Sequence, residues 1–236
     1  MSLIGKNVLV VGAASSIGKS VIDGLMLRGA NVLATVNKLK PQYLMRPEIT
    51  VAQADLMNST SLEQFCSSVV PFFGQIDVVI FLSGYLKGRN LHDYNDDLMQ
   101  QVMTVNFSGQ ATLLRHLLTH LSEGSLVLMV SSISAERGSF DPIYAAAKAA
   151  QIGLVKSLAI WLAPKVRINA IAPALIDGST MFNDMTAERR EHHLKQTPTG
   201  RLTTLCDLAG VILNLCEPEW SNLNGQVIRL NGGSHV

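Results

Sequence analysis

Short unbroken apolar runs, separated by longer amphipathic stretches, constrain this chain more than any other feature. Residues 7–11 (NVLVV) read as a strand buried on both faces, 12–18 as a turn of small residues, and 19–28 as a helix with Val21, Ile22, Leu25 and Met26 on one side. Gly29 stops that helix and 31–36 read as a second strand. Further strands are expected at 50–54, 76–82, 125–130, 166–172 and 226–230, with helices near 60–70, 95–121, 142–163 and 204–216. Strands that lack polar alternation and are followed by helices build parallel βαβ units, in which both faces of the sheet are covered. The expected fold is α/β, one doubly wound domain over 1–236 with a mostly parallel sheet. The polar span 177–204 shows no periodicity and reads as a loop that acts as a lid, with Met181, Phe182 and Met185 scattered in it.

Composition removes several classes of function. With 47% hydrophobic and 16% charged residues, the chain has the apolar content of a folded core and is not a disordered segment. A net charge of +1 gives no global field for nucleic acid or an anionic membrane. The longest apolar runs fall far short of the ~20 residues a membrane span takes, and no charged segment followed by an apolar one opens the chain, so a cytoplasmic location is expected. Cys66, Cys206 and Cys216 form no C-x-x-C pair, which argues against a disulfide framework or a zinc site. His116 and His120 share a helix face but have no third ligand nearby, so no metal is expected.

Two segments carry chemistry. The first is Gly12-Ala13-Ala14-Ser15-Ser16-Ile17-Gly18, between strand and helix. Small residues let the backbone approach a pyrophosphate, and the new helix offers unpaired N–H groups; an ordinary tight turn has the same composition. The second is Tyr144-Ala-Ala-Ala-Lys148, which puts a phenol and an ammonium on one helix face, with Asp141 and Pro142 suited to start that helix. A tyrosine pKa of about 10 is too high for acid–base work near neutrality. A cation at ~4 Å in an effective dielectric of ~20 would favour the phenolate by about 4 kcal/mol. Ser131-Ser132 end the strand before it, with Ser132 twelve residues ahead of Tyr144.

The order Gly-rich turn, Asn106, Ser132, Tyr144-x-x-x-Lys148 resembles the short-chain dehydrogenase/reductase family, and the likeness runs from Lys6 to the Leu223-Asn-Gly-Gln-Val-Ile segment. The resemblance implies a Rossmann-like fold and an oxidoreductase that transfers hydride between a nicotinamide cofactor and a carbonyl or alcohol. In that scheme Tyr144 is the general acid/base and Ser132 holds the substrate oxygen. Lys148 lowers the Tyr144 pKa and binds the nicotinamide ribose, and Asn106 holds a water that links Lys148 to solvent. Gly12, Ser15, Ser16, Ile17, Asp55, Leu56, Ser83, Gly84 and Ile176, with Tyr144 and Lys148, would bind the cofactor. For Asp55, a turn cap is the alternative. The chain departs from the family pattern at Ser16, where the middle glycine of the turn would fall, at Phe81-Leu82-Ser83-Gly84 in place of Asn-Asn-Ala-Gly, and at Pro173-Ala174 in place of Pro-Gly. These departures motivate a second reading, a nucleotide-binding member with little activity that serves as a regulator or structural partner. A sugar-nucleotide epimerase fits less well, because only 88 residues follow Lys148.

No acid occurs from Gly24 to Pro47, where an NAD-preferring site usually carries one, while Asn37 and Lys38 follow the second strand. NADP is therefore the expected cofactor, with Lys38 and Asn37 at its 2′-phosphate; an indifferent site that also takes NAD is the alternative. The expected partner is a small-molecule carbonyl or alcohol. Ala34-Thr35 and Pro198-Thr-Gly-Arg201 look similar to 3-oxoacyl carrier-protein reductases. Leu113, Leu117, Ile152, Leu154, Leu158 and Trp161 exceed what one sheet face needs. Together with the low charge content they suggest a homotetramer or homodimer, although about half of them would fill the domain's own core.

Overall fold

The computed structural model describes residues 3–38, 40–88 and 90–236. Its main sheet has seven parallel strands. They are β1 (Asn7–Val11), β2 (Asn31–Val36), β3 (Ile49–Gln53), β4 (Ile76–Phe81), β5 (Leu121–Val130), β6 (Val166–Pro173) and β9 (Val227–Leu230). A small second sheet pairs β7 (Ile176–Asp177) with β8 (Thr203–Thr204). The helices are α1 (Ser16–Leu27), α2 (Ser59–Ser68), α3 (Val70–Phe73), α4 (Asp96–Met103), α5 (Gly109–Leu117), α6 (Ser134–Arg137), α7 (Pro142–Trp161), α8 (Thr180–Asn183), α9 (Ala187–Lys195) and α10 (Leu205–Leu215). The doubly wound α/β fold expected from the apolar runs is the fold found.

The strand order β3-β2-β1-β4-β5-β6-β9 reverses direction between β1 and β4. The connections after these two strands leave to opposite sides, which opens a crevice at their C-terminal ends. Alternate side chains of the strands supply two apolar layers. Val8, Val10 and Ile80 pack with Val21, Ile22 and Leu25 of α1 and Leu208 and Ile212 of α10. Leu9, Val11, Val79 and Phe81 pack on the other face with Leu62 and Phe65 of α2, Leu113 and Leu117 of α5 and Val155 of α7.

Two sequence expectations change. The helix expected over 95–121 is broken by a π turn at Thr104–Ser108. There the Asn106 side-chain amide takes the Val102 carbonyl at 2.8 Å and the Gln110 amide takes the Val105 carbonyl at 2.9 Å, so side chains satisfy acceptors within the widened turn. Span 177–204 is not a plain loop. It contains α8 and α9, capped by Ser179 and Thr186. No residue of α9 is buried, so the helix lacks the apolar stripe that would have revealed it. Leu113 and Leu117 are fully buried inside the chain's own core, whereas Ile160 and Trp161 at the end of α7 are exposed.

Among the described residues, α7 is long and apolar enough to cross a membrane by length and composition. Its inward face nevertheless buries Tyr144, Lys148, Gln151 and Val155 within the fold, as a core helix does. Because Leu113 fills this interior, Leu113→Ala should cost about 2–5 kcal/mol in urea unfolding. Light scattering should give the same particle mass as wild type; a loss of mass would put Leu113 in an interface instead.

Candidate active site

The crevice at the strand ends is a cleft of about 1660 Å³. At its floor the chain leaves β1 through Gly12, with φ of 82°. A Cβ on Gly12 would lie 2.4 Å from Ser83 Oγ and 2.7 Å from Ser83 N, so only glycine lets the turns after β1 and β4 meet. A Cβ on Gly18 would meet the Ala13 carbonyl at 2.1 Å. Ser15 caps α1, its Oγ accepting from Gly18 N at 3.0 Å. The amides of Ser16 and Ile17, in the first turn of α1, have no carbonyl one turn back to bond.

Tyr43 was not foreseen. Its hydroxyl donates to the carbonyls of Ala13 and Ser15 and holds the turn from outside. Its ordinary position in the sequence gave no signal of this.

The residues present fit a dinucleotide. Gly12, Ser15, Ser16, Ile17, Asn37, Asp55, Leu56, Ser83, Gly84, Tyr144, Lys148 and Ile176 all line this cleft. Ser16 Oγ is buried and has no hydrogen-bond partner among the described residues. An unsatisfied buried hydroxyl costs about 1–3 kcal/mol, and a phosphate oxygen at the start of α1 would relieve it. Lys38 is exposed beside the cleft and does not line it. Asp55 also serves its own turn, since its Oδ1 accepts from Met57 N at 2.9 Å.

The catalytic candidates gather on β5 and α7. Asp141 caps α7 by accepting from Tyr144 N at 3.0 Å, and it also holds Tyr94 OH and Gly88 N. This places Tyr144 in the first turn of α7, near Ser132, whose hydroxyl acts on the phenol. Ser132 Oγ also accepts from Ser134 N at 3.1 Å. Ser131 points elsewhere: its Oγ donates to the Lys148 carbonyl at 2.9 Å and pins α7 to β5. Lys148 Nζ donates to the Val130 carbonyl at 2.8 Å and lies 5.8 Å from the Tyr144 ring centre. The side chain of Asn106 is fully engaged, donating to the carbonyls of Val102 and Tyr85 and accepting from Tyr85 N. A water held at Asn106 would therefore have to use its main chain.

The electrostatics differ from the expected lowering of the tyrosine. Burial pushes the Tyr144 phenol up to about 12; the Ser132 hydrogen bond pulls it down in part and the Asp141 charge adds to the rise. Burial also brings Lys148 down to about 7. An ammonium that is itself desolvated gives up much of its charge near neutrality, so it cannot exert the full pull expected of an exposed-pair geometry.

The lid also corrects the sequence reading. Met181 and Met185 line the cleft but Phe182 does not, its ring being covered by the Arg190 guanidinium at 4.5 Å. The phenylalanine at the cleft is Phe140, beside Tyr85 and Tyr144.

A family model described as enoyl-(acyl carrier protein) reductase matches residues 12–235. The chain belongs to the short-chain dehydrogenase/reductase family. Its members are oxidoreductases, and the chain is similar to several over their whole length. It is 31% identical to the uncharacterized oxidoreductase YmfI of Bacillus subtilis, covering 98% of this chain and 100% of that one. It is 27% identical to the 3-oxoacyl-[acyl-carrier-protein] reductase FabG of Salmonella typhimurium, with both chains fully covered. A crystal structure of a short-chain dehydrogenase/reductase, glucose/ribitol dehydrogenase, from Brucella melitensis superposes with a TM-score of 0.92 at 26% identity, covering 99% of this chain and 98% of that one.

The buried lysine has a consequence for stability. Lys148 titrates near 7 in the folded chain against an ordinary 10.5, so between these values the unfolded chain holds a proton that the folded one lacks. Stability should therefore rise with pH from about 7 to 9, by up to ~1.4 kcal/mol per pH unit. The sign reverses above about 9, where the thiols of Cys66 and Cys216, pushed by burial up to about 12, keep protons that the unfolded chain gives up, and Tyr144 adds to this above its ordinary 10. In urea unfolding without cofactor, Lys148→Met should abolish the rise between pH 7 and 9. A wild-type profile that is flat over that range would show that Lys148 keeps an ordinary pKa.

Proposed function

We propose that this protein is an NADP(H)-dependent oxidoreductase that interconverts a carbonyl and an alcohol, with Tyr144 as general acid/base. The observation that carries the reading is that Ser132, Tyr144 and the buried Lys148 line the same cleft as the Gly12–Gly18 turn. When bound, the nicotinamide supplies or accepts the hydride. Gly12, Ser15, Ser16 and Ile17 hold the pyrophosphate. Asp55, Leu56, Ser83, Gly84 and Ile176 line the remainder of the cofactor's path, and Lys148 meets the nicotinamide ribose.

Ser132 holds the substrate oxygen and helps stabilise the negative charge that develops on it. A phenol kept protonated by burial suits the acid role in reduction, and Tyr144 passes its proton to that oxygen. Lys148, titrating near neutrality, can then replenish the proton or stabilise the phenolate. Tyr144→Phe removes only the hydroxyl and should lower kcat by about 10²–10⁴ while leaving NADPH binding by fluorescence titration close to wild type. Wild-type turnover in that variant would end the acid/base assignment. NADPH binding without turnover of any carbonyl by the wild type would favour the weakly active reading.

Absence of an acid after β2, with Asn37 in the cleft and Lys38 beside it, supports a preference for NADPH. A preference of ~1–3 kcal/mol is expected from one charge-assisted contact. Comparing kcat/KM for NADH and NADPH in wild type and Lys38→Ala tests it. Equal values in wild type would remove the preference, and an unchanged preference in Lys38→Ala would move the contact to Asn37 or Ser15.

The reading takes 1–236 as one domain acting on a small-molecule carbonyl or alcohol in the cytoplasm; three unpaired cysteines agree with a reducing compartment. Exposed Ile160 and Trp161 on α7 support assembly into a homodimer or homotetramer.

A further inference from the structure

The mouth of the cleft carries cations that the proposed chemistry does not use. Arg137 ends α6, five residues after Ser132, and lines the cleft. The neighbouring acid is spent elsewhere: Glu136 pairs with Arg229 at 2.6 Å and lies 3.5 Å from His235, which ties α6 to the end of the chain. Among the described residues, the Arg137 guanidinium has no hydrogen-bond or ion-pair partner.

Arg189, on α9, lines the same cleft and stacks its guanidinium over the Phe140 ring at 4.2 Å. A guanidinium that is held over a ring in this way still has N–H donors to offer a planar oxyanion. Arg189 too has no carboxylate within ion-pair distance among the described residues. Half-buried His193 sits within the field of Arg137, Arg189 and His192; its burial first, then these cations, lower its pKa, so it stays neutral at pH 7 and able to donate one hydrogen bond. Among the described residues, the acids that line this mouth make no ion pair with either arginine. Glu191 is held by Lys195 at 2.8 Å, and neither Asp184 nor Glu188 is ion-paired to Arg137 or Arg189.

Arg137 and Arg189 are both solvent-exposed, stand on separate elements at the mouth of one cleft, and both act on His193 between them, so together they present two guanidiniums to an anion that enters there. From this we infer that the substrate is an anionic carbonyl compound, whose carboxylate or phosphate is gripped between Arg137 and Arg189 while its carbonyl reaches Ser132 and Tyr144. The inference rests on the proposed role of Ser132 and Tyr144 for the carbonyl end, but the anion site is testable without turnover.

Protein labelled with ¹³C-methyl methionine reports the cleft through Met181 and Met185, assigned with Met181→Leu and Met185→Leu. Levulinate, its uncharged methyl ester and hydroxyacetone phosphate are titrated in turn. Levulinate or hydroxyacetone phosphate should shift these methyls at a concentration about tenfold or more below that needed for the ester, as a bidentate charge-assisted pair requires. Which of the two binds more tightly identifies carboxylate or phosphate. Arg137→Gln and Arg189→Gln should each erase the advantage while leaving the remaining methionine resonances in place, which shows an intact fold. Equal binding of acid and ester, no shift with either anion up to about 50 mM, or an advantage that survives both substitutions would overturn the inference. Arginine-dependent binding in a protein that turns over no carbonyl would instead leave the anion site standing and remove the proposed reaction.

Discussion

The hydrogen bond from Lys148 Nζ to the Val130 carbonyl is the contact on which the site depends. It crosses from α7 to the last residue of β5, so it fixes the helix that carries Tyr144 against the strand that delivers Ser132. Ser131 reinforces the same junction from the other partner, donating back to the Lys148 carbonyl. Burying an ammonium against one carbonyl is unfavourable for its charge, and the fold accepts that cost through the packing of α7 along β6 and the π turn. The outcome is a lysine that titrates near neutrality and a phenol that does not.

A second constraint is the close approach of the turns after β1 and β4. Gly12 against Ser83 brings the phosphate turn to the floor of the cleft, and the polar residues behind them hold that floor in place. Gln110 Nε2 donates to the Ser83 carbonyl at 3.0 Å, and Gln151, one turn after Lys148, donates to Gln110 at 2.8 Å. Asn106 clamps Tyr85 in the same loop. Backbone at the Gly12–Gly18 turn is thus tied through side-chain amides to the helix that carries Tyr144 and Lys148, and Leu82-Ser83 are held without the family's asparagine pair.

Much of this was legible in the sequence where one residue type answers one physical need. The unbroken apolar strands, the glycines at 12 and 18, and the order Ser132, Tyr144, Lys148 each have a direct counterpart in the structure. What was not legible depends on contacts between distant segments or on the absence of a pattern. Tyr43 reaches the phosphate turn across about thirty residues of chain. Helix α9 has no buried face and so no period to detect. Of the two residues expected at the cofactor's 2′-phosphate, Asn37 lines the cleft and Lys38 is exposed beside it, a difference no sequence pattern carries. The direction in which Lys148 and Tyr144 titrate follows from burial, and no spacing rule carries burial.

In the cofactor-free site the exchangeable proton resides on Tyr144, and Lys148 titrates near neutral pH. Four tyrosines make ¹³Cζ-tyrosine labelling tractable, with Tyr144→Phe assigning the resonance. A pH titration of that signal, alongside the ¹⁵Nζ signal of Lys148, measures both groups in one sample. A Tyr144 phenol that stays protonated beyond pH 10 and a Lys148 transition close to 7 are expected. A Tyr144 signal that moves to the phenolate position below pH 9, with Lys148 still charged, would contradict this placement of the proton.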